Sequence, residues 1–142
     1  MKSLTSICLA GAMTAGALSG TLCAAEQKAK EEYKSTAETK TLVQMPLPGI
    51  EGKQVTIFRV TAKPGWVGGK HYHTGPVYVY VLKGPFSVDE EGKATKTFET
   101  GQVYEEPLNH PMQAKNTNAQ EAMELLVVQV NNQGEPLMYK VD

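Results

Sequence analysis

Two of the three histidines in this 142-residue chain, His71 and His73, stand two positions apart. Side chains of an extended strand alternate between its faces, so this spacing puts both imidazoles on one face, about 7 Å apart at Cα. Two imidazoles so placed are a nitrogen pair able to hold a transition metal. The bland alternative is a pair of solvated loop histidines. The neighbours favour the first reading: a Gly/Pro-rich approach over residues 64–69 leads in, and a Val/Tyr run over residues 77–81 follows, closed by Gly84.

Other residues with chemical potential are few. Glu105 and Glu106 could offer a general acid or base, but adjacent strand residues point to opposite faces, so at most one looks inward. Both are read here as solvated carboxylates. Trp66, the sole tryptophan, sits beside the histidines, where it could lid a cavity or anchor local packing. The sequence has no nucleophile elbow, phosphate-binding loop or dinucleotide fingerprint.

The intervals around the histidines resemble motif 1 of the cupin superfamily: Gly, five residues, His-x-His, three or four residues, Glu, six residues, Gly. Gly65, His71, His73 and Gly84 fall in register. The glutamate slot holds Val77, or Tyr78 at the longer spacing, and neither is a carboxylate. A second stretch resembles motif 2: Gly, five residues, Pro-x-Gly, two residues, His, three residues, Asn. Gly101, Pro107 and Asn116 fit; Asn109 stands in the Gly slot and Met112 in the His slot. Asn for Gly is a mild change, since both tolerate positive φ. His110 lies two residues before the expected ligand, on the same face if the segment is extended. The resemblance implies an all-β fold, a cupin double-stranded β-helix or jelly-roll barrel, and by likeness to small cupins a homodimer.

A typical cupin site implies iron, manganese, nickel, zinc or copper held by three histidines and a glutamate. The matching positions here supply His71, His73 and Met112, with His110 as a displaced nitrogen donor. Three readings stand. The first is a metal-dependent enzyme, a dioxygenase, isomerase or lyase acting on a small organic molecule, its metal on His71, His73 and His110, with Gln113 or Tyr72 holding substrate. The second is a periplasmic copper-binding protein in which Met112 adds a thioether, against the alternative that a strand methionine fills core space. The third is a non-enzymatic ligand-binding or sensor cupin whose degraded metal site leaves a cavity lined by Val77, Val79, Val81 and Met112.

The elements that must position these residues follow from the rest of the chain. Residues 1–25 read as a secretory signal peptide: Lys2, a small apolar stretch over residues 7–22, and small residues before Glu26. Both cysteines, Cys8 and Cys23, fall within it, so cleavage there leaves no thiol and places the product in the periplasm or outside the cell. Residues 26–40 are polar and mixed in charge, which predicts a flexible or loosely helical leader. Residues 41–142 read as a single barrel domain of short β-type runs punctuated by Gly, Pro and Asn, with strands expected near 41–45, 55–62, 86–88, 94–98, 122–130 and 137–141. The run Asp89-Glu90-Glu91-Gly92-Lys93 reads as a solvated hairpin tip. After the signal, 13 basic against 15 acidic residues with no basic stripe argue against nucleic acid, and no second apolar run approaches membrane-spanning length. A small molecule is the partner these features leave.

Overall fold

The computed structural model describes residues 30–141. Among them the chain forms ten β-strands and no helix: β1 (Glu38–Pro46), β2 (Lys53–Ala62), β3 (His71–Tyr72), β4 (Val77–Lys83), β5 (Phe86–Glu90), β6 (Lys96–Phe98), β7 (Val103–Glu106), β8 (Met112–Lys115), β9 (Met123–Asn132) and β10 (Tyr139–Lys140). Two five-stranded sheets, ordered β1-β2-β9-β4-β7 and β10-β3-β8-β5-β6, face each other. Their named pairings are antiparallel, as the jelly-roll expectation requires.

Alternation in the sequence sets which residues fill the space between the sheets. Along β4, Val77, Val79 and Val81 are buried while Tyr78 and Tyr80 are exposed. On β2, Phe58 and Ala62 turn inward; on β9, Met123, Leu125 and Val127 do so. Apart from Ala62, each such side chain contributes about 1.5–3 kcal/mol for leaving water. Phe86, Val88 and Met112 close the core from the opposite sheet. Tyr78 and Tyr80 lie on the outer face of their sheet.

Two expectations need correcting. The segment read as a leader is structured from residue 30. Its backbone pairs with the C-terminal strand, Tyr33 N donating to Met138 O (3.0 Å) and Lys140 N to Glu31 O (2.8 Å), and β1 begins at Glu38. Backbone ladders need no apolar side chains, which is why a polar composition concealed this pairing. Secondly, the charge run is not wholly solvated. Gly92 does turn the chain, with φ of 73°, but Glu90 is buried and accepts hydrogen bonds from Tyr104 Oη (3.1 Å), Lys96 Nζ (2.8 Å) and Lys93 Nζ. These donors, Lys93 first, hold its carboxyl at about 2 against an ordinary 4.5. The signal-peptide reading of residues 1–25 lies outside the described residues.

Candidate functional site

The His-x-His pair is delivered by tight local geometry. The loop after His73 approaches β9 so closely that a Cβ on Gly75 would sit 1.9 Å from Val130 O, so only glycine fits there. Both histidines are buried, and their rings meet edge to face with centroids 5.2 Å apart. They line one cavity of about 60 Å³. Its walls include Phe58, Trp66, Val79, Phe86, Leu125 and Val127, and among the described residues no Lys or Arg lines it. One water needs roughly 10–15 Å³ on this measure, so the space suits a few waters or a molecule of a few heavy atoms.

Backbone carbonyls orient both rings. His71 Nδ1 lies 2.9 Å from Gly69 O, and His73 Nδ1 lies 2.8 Å from Leu137 O. A carbonyl only accepts, so each Nδ1 carries the proton and each Nε2 is left for the interior. Fixing one ring nitrogen in this way is how proteins aim the other at a metal. Burial lowers the His71 pKa; the Gly69 carbonyl opposes that without reversing it, and His71 stays neutral. For His73, burial pulls the same way, but the charge and contact of Glu106, with help from the Leu137 carbonyl and the Gln129 side chain, outweigh it, and the net shift is upward.

Glu106 is the residue that sequence reasoning placed wrongly. Its side chain is only 8 % exposed, lines the cavity, and brings Oε2 to 2.8 Å from His73 Nε2. Oε2 nevertheless has no hydrogen bond of ordinary geometry, so the two groups make a close charge contact rather than an aligned bond. The phase of β7 explains the orientation. Tyr104 is buried, and two positions on Glu106 must face the same way, while Glu105 points to solvent. Val77, in the slot where a motif-1 glutamate would stand, is the cross-strand partner of Glu106 on one side and of Gln129 on the other. Gln129 is fully buried. Its Nε2 donates to Leu137 O (2.7 Å), the same carbonyl that holds His73, and its Oε1 has no partner.

The remaining expected site residues disperse. His110 does not line the cavity; it sits in the β7–β8 loop with Nε2 3.1 Å from Glu91 O. The strand begins only at Met112, so face alternation does not extend back through Pro111. Met112 does stand opposite His71 in the β3–β8 register, yet it is sealed in the core and does not reach the cavity wall. Val79 lines the cavity, whereas Val77 and Val81 are buried away from it. Gln113, next to inward-facing Met112, faces the other way and donates to Gly68 O (2.7 Å). Asn109 adopts φ of 52°, the left-handed conformation its glycine-like slot calls for.

The polar segment before β1 adds residues no motif signalled. The Tyr33 ring stacks on His71, centroids 4.9 Å apart and planes 4° from parallel, and its Oη accepts from Gly69 N (2.7 Å). Trp66 both lines the cavity and donates from Nε1 to Thr36 Oγ1 (2.9 Å), pinning the same segment. Among the described residues no group of three or more His, Cys, Asp or Glu side chains is placed to hold a metal ion.

A jelly-roll barrel with a histidine pair at its cavity defines the class, and the chain belongs to the cupin family: the cupin domain model matches residues 58–129. Solved structures agree on the fold. An RmlC-like cupin from Methanocaldococcus jannaschii is similar over 75% of this chain and 93% of its own, at 22% identity and TM-score 0.57. A cupin 2 conserved barrel domain protein from Salinispora arenicola covers 84% and 89%, at 19% identity and TM-score 0.53. The DMSP lyase DddQ from Ruegeria pomeroyi is similar over 70% of this chain, at 16% identity and TM-score 0.57, and the chain spans about half of its length. No curated protein sequence matches the chain.

Proposed function

We propose that this cupin binds a divalent transition metal through His71 and His73 and uses it on a small, uncharged organic molecule held in the apolar cavity. The observation that carries this reading is the pairing of both Nδ1 atoms with backbone carbonyls, which fixes two buried rings at the wall of one cavity and leaves Nε2 as the donor atom of each, that of His73 against Glu106. The donor chemistry fits an ion: two imidazoles, one kept neutral by burial, beside a buried carboxylate oxygen without a directed partner. When bound, such an ion supplies Lewis acidity toward an oxygen of the bound molecule. The chain's part is to aim the imidazoles, exclude bulk water with Trp66 and Tyr33, and select a ligand without charge, since among the described residues no Lys or Arg lines the walls and the His73–Glu106 contact balances the charge there. Lyase, isomerase and oxygenase chemistry are all compatible with this arrangement. The likeness to a lyase at 16% identity does not choose among them.

A second reading has its own support. The His73–Glu106 contact fills the space an ion would take, and an apolar cavity closed by an ion pair can bind a small ligand without metal or turnover. The copper-thioether reading has no comparable support, because Met112 does not line the cavity. The signal-like residues 1–25 support export to the periplasm, and the exposed Tyr78, Tyr80, Leu82 and Val103 support pairing of two copies through the outer face.

Elemental analysis of chain purified without chelators, beside a His71→Ala/His73→Ala variant, tests the metal. Near-stoichiometric metal that the variant loses is expected. Metal-free native protein that also takes up no manganese, iron or zinc on titration would leave the second reading.

A further inference from the structure

Resting on the reading that His71 and His73 hold an ion, we propose that Glu106 is its anionic ligand, supplied from β7 in place of the carboxylate that the His-bearing motif lacks. The position follows from register. Val77 and Glu106 are Cα partners on an antiparallel pair, so their side chains leave the same face of the sheet roughly 5 Å apart. A carboxylate at either position leaves the same face of the sheet, and in this chain Glu106 is the one of the two that lines the cavity. Glu106 lies at that cavity: its side chain is buried beside both histidines, and Oε2 stands 2.8 Å from His73 Nε2, although the three groups do not converge on one ion position in this structure, so binding requires the His73–Glu106 contact to part.

Burial without a directed hydrogen bond is the second observation. A carboxylate oxygen taken from water is costly unless it is hydrogen-bonded or bound to an ion. Elsewhere in the molecule the same kind of group is fully served, as Glu90 is by Tyr104, Lys93 and Lys96. Glu106 Oε2 has only the misaligned imidazole. Its neighbour across Val77, Gln129, tethers the Leu137 carbonyl that orients His73, so it is a positioning residue for the pair. Two imidazoles and one carboxylate form a set suited to manganese, iron(II) or zinc, and poorly suited to copper(I), which prefers soft sulfur ligands.

Titration of metal-free protein with Mn(II) and Zn(II), followed by calorimetry and by the Mn(II) electron-spin signal, tests the assignment without any activity assay. Four chains are compared: native, His71→Ala/His73→Ala, Glu106→Gln, and Val77→Glu/Glu106→Val, the last moving the carboxylate back across the strand pair. Even outer partners of metal ligands are worth 10–100-fold, so Glu106→Gln should weaken Mn(II) binding by more than about 100-fold. The transposed double variant should recover most of that loss. Circular dichroism establishes that each variant is folded; if the transposed variant is not, the near-isosteric Glu106→Gln decides alone. Native affinity in Glu106→Gln, with binding lost in the histidine variant, overturns the role of Glu106 and leaves the histidine reading standing. Absence of binding by the native chain overturns both.

Discussion

His73 meets Glu106 across the cavity with its other ring nitrogen already committed. Nδ1 donates to the Leu137 carbonyl, so the contact of Nε2 with a carboxylate oxygen at 2.8 Å is attractive only if the ring carries a second proton on Nε2. In the metal-free protein the Glu106 charge favours the protonated ring against the effect of burial, and the His73 pKa is raised. A metal entering on Nε2 displaces that proton, so metal binding should tighten as pH rises.

The same pair gives the metal-free protein a stability maximum. His73 has a folded pKa above its ordinary 6.5, so its contribution is complete below pH 6.5 and is lost as pH rises through the folded value. His71 is shifted the other way. Its contribution is complete above pH 6.5 and is lost as pH falls toward its lowered pKa. Urea unfolding of metal-free protein between pH 5 and 9 should therefore peak near 6.5. Glu106→Gln removes the charge that raises His73 and, to a smaller degree, His71, so it should flatten the alkaline limb and steepen the acid one. An unchanged alkaline limb would show that Glu106 does not hold the second proton.

Met112 and His110 should behave as their surroundings dictate rather than as ligands. Met112 is 2 % exposed between His71 and Glu90 in the strand register, so Met112→Ala should cost about 2–5 kcal/mol in urea unfolding. Met112→Leu, close to volume-conserving, should cost less than about 1.5 kcal/mol and leave metal affinity unchanged. His110→Ala, in a half-exposed loop, should shift stability by no more than about 0.5 kcal/mol and also leave metal affinity alone. A folded Met112→Leu variant that no longer takes up metal would make the thioether a ligand after all.

These outcomes mark how far the sequence could be read. The barrel was legible because β4 alternates Val and Tyr without a break and because Gly, Pro and Asn stand at the turns. The histidine pair was legible for the same period-two reason. Glu106 was not, because adjacency to Glu105 shows only that one of the two can face inward. The burial of Tyr104 sets which one, and that depends on packing against Phe86 and Phe98 from other strands. His110 failed by the opposite error, in which strand alternation was carried through a proline-containing loop. Tyr33 was hidden in a segment whose order comes from backbone pairing with the last strand rather than from its composition.

Tyr33 is also where the cavity can be opened without altering either histidine. Its ring covers one face of His71, and burial is the main reason that the His71 pKa is lowered. Tyr33→Ala should raise that pKa toward 6.5, read from the His71 ring-proton shift during an NMR titration of metal-free protein. Gly69→Ala approaches the same result from the other side. A Cβ on Gly69 would meet Tyr33 Cε2 at 2.7 Å and Cζ at 3.3 Å, so the ring must swing away while its hydroxyl is retained. Gly69 is not in the left-handed region, so the added methyl acts on Tyr33 rather than on the backbone. Faster metal uptake in both variants, with equilibrium affinity changed far less than by Glu106→Gln, would show that the segment gates access to the site. An unmoved His71 pKa in both would mean that the ring shields His71 no better than solvent does, and the segment would then be structural alone.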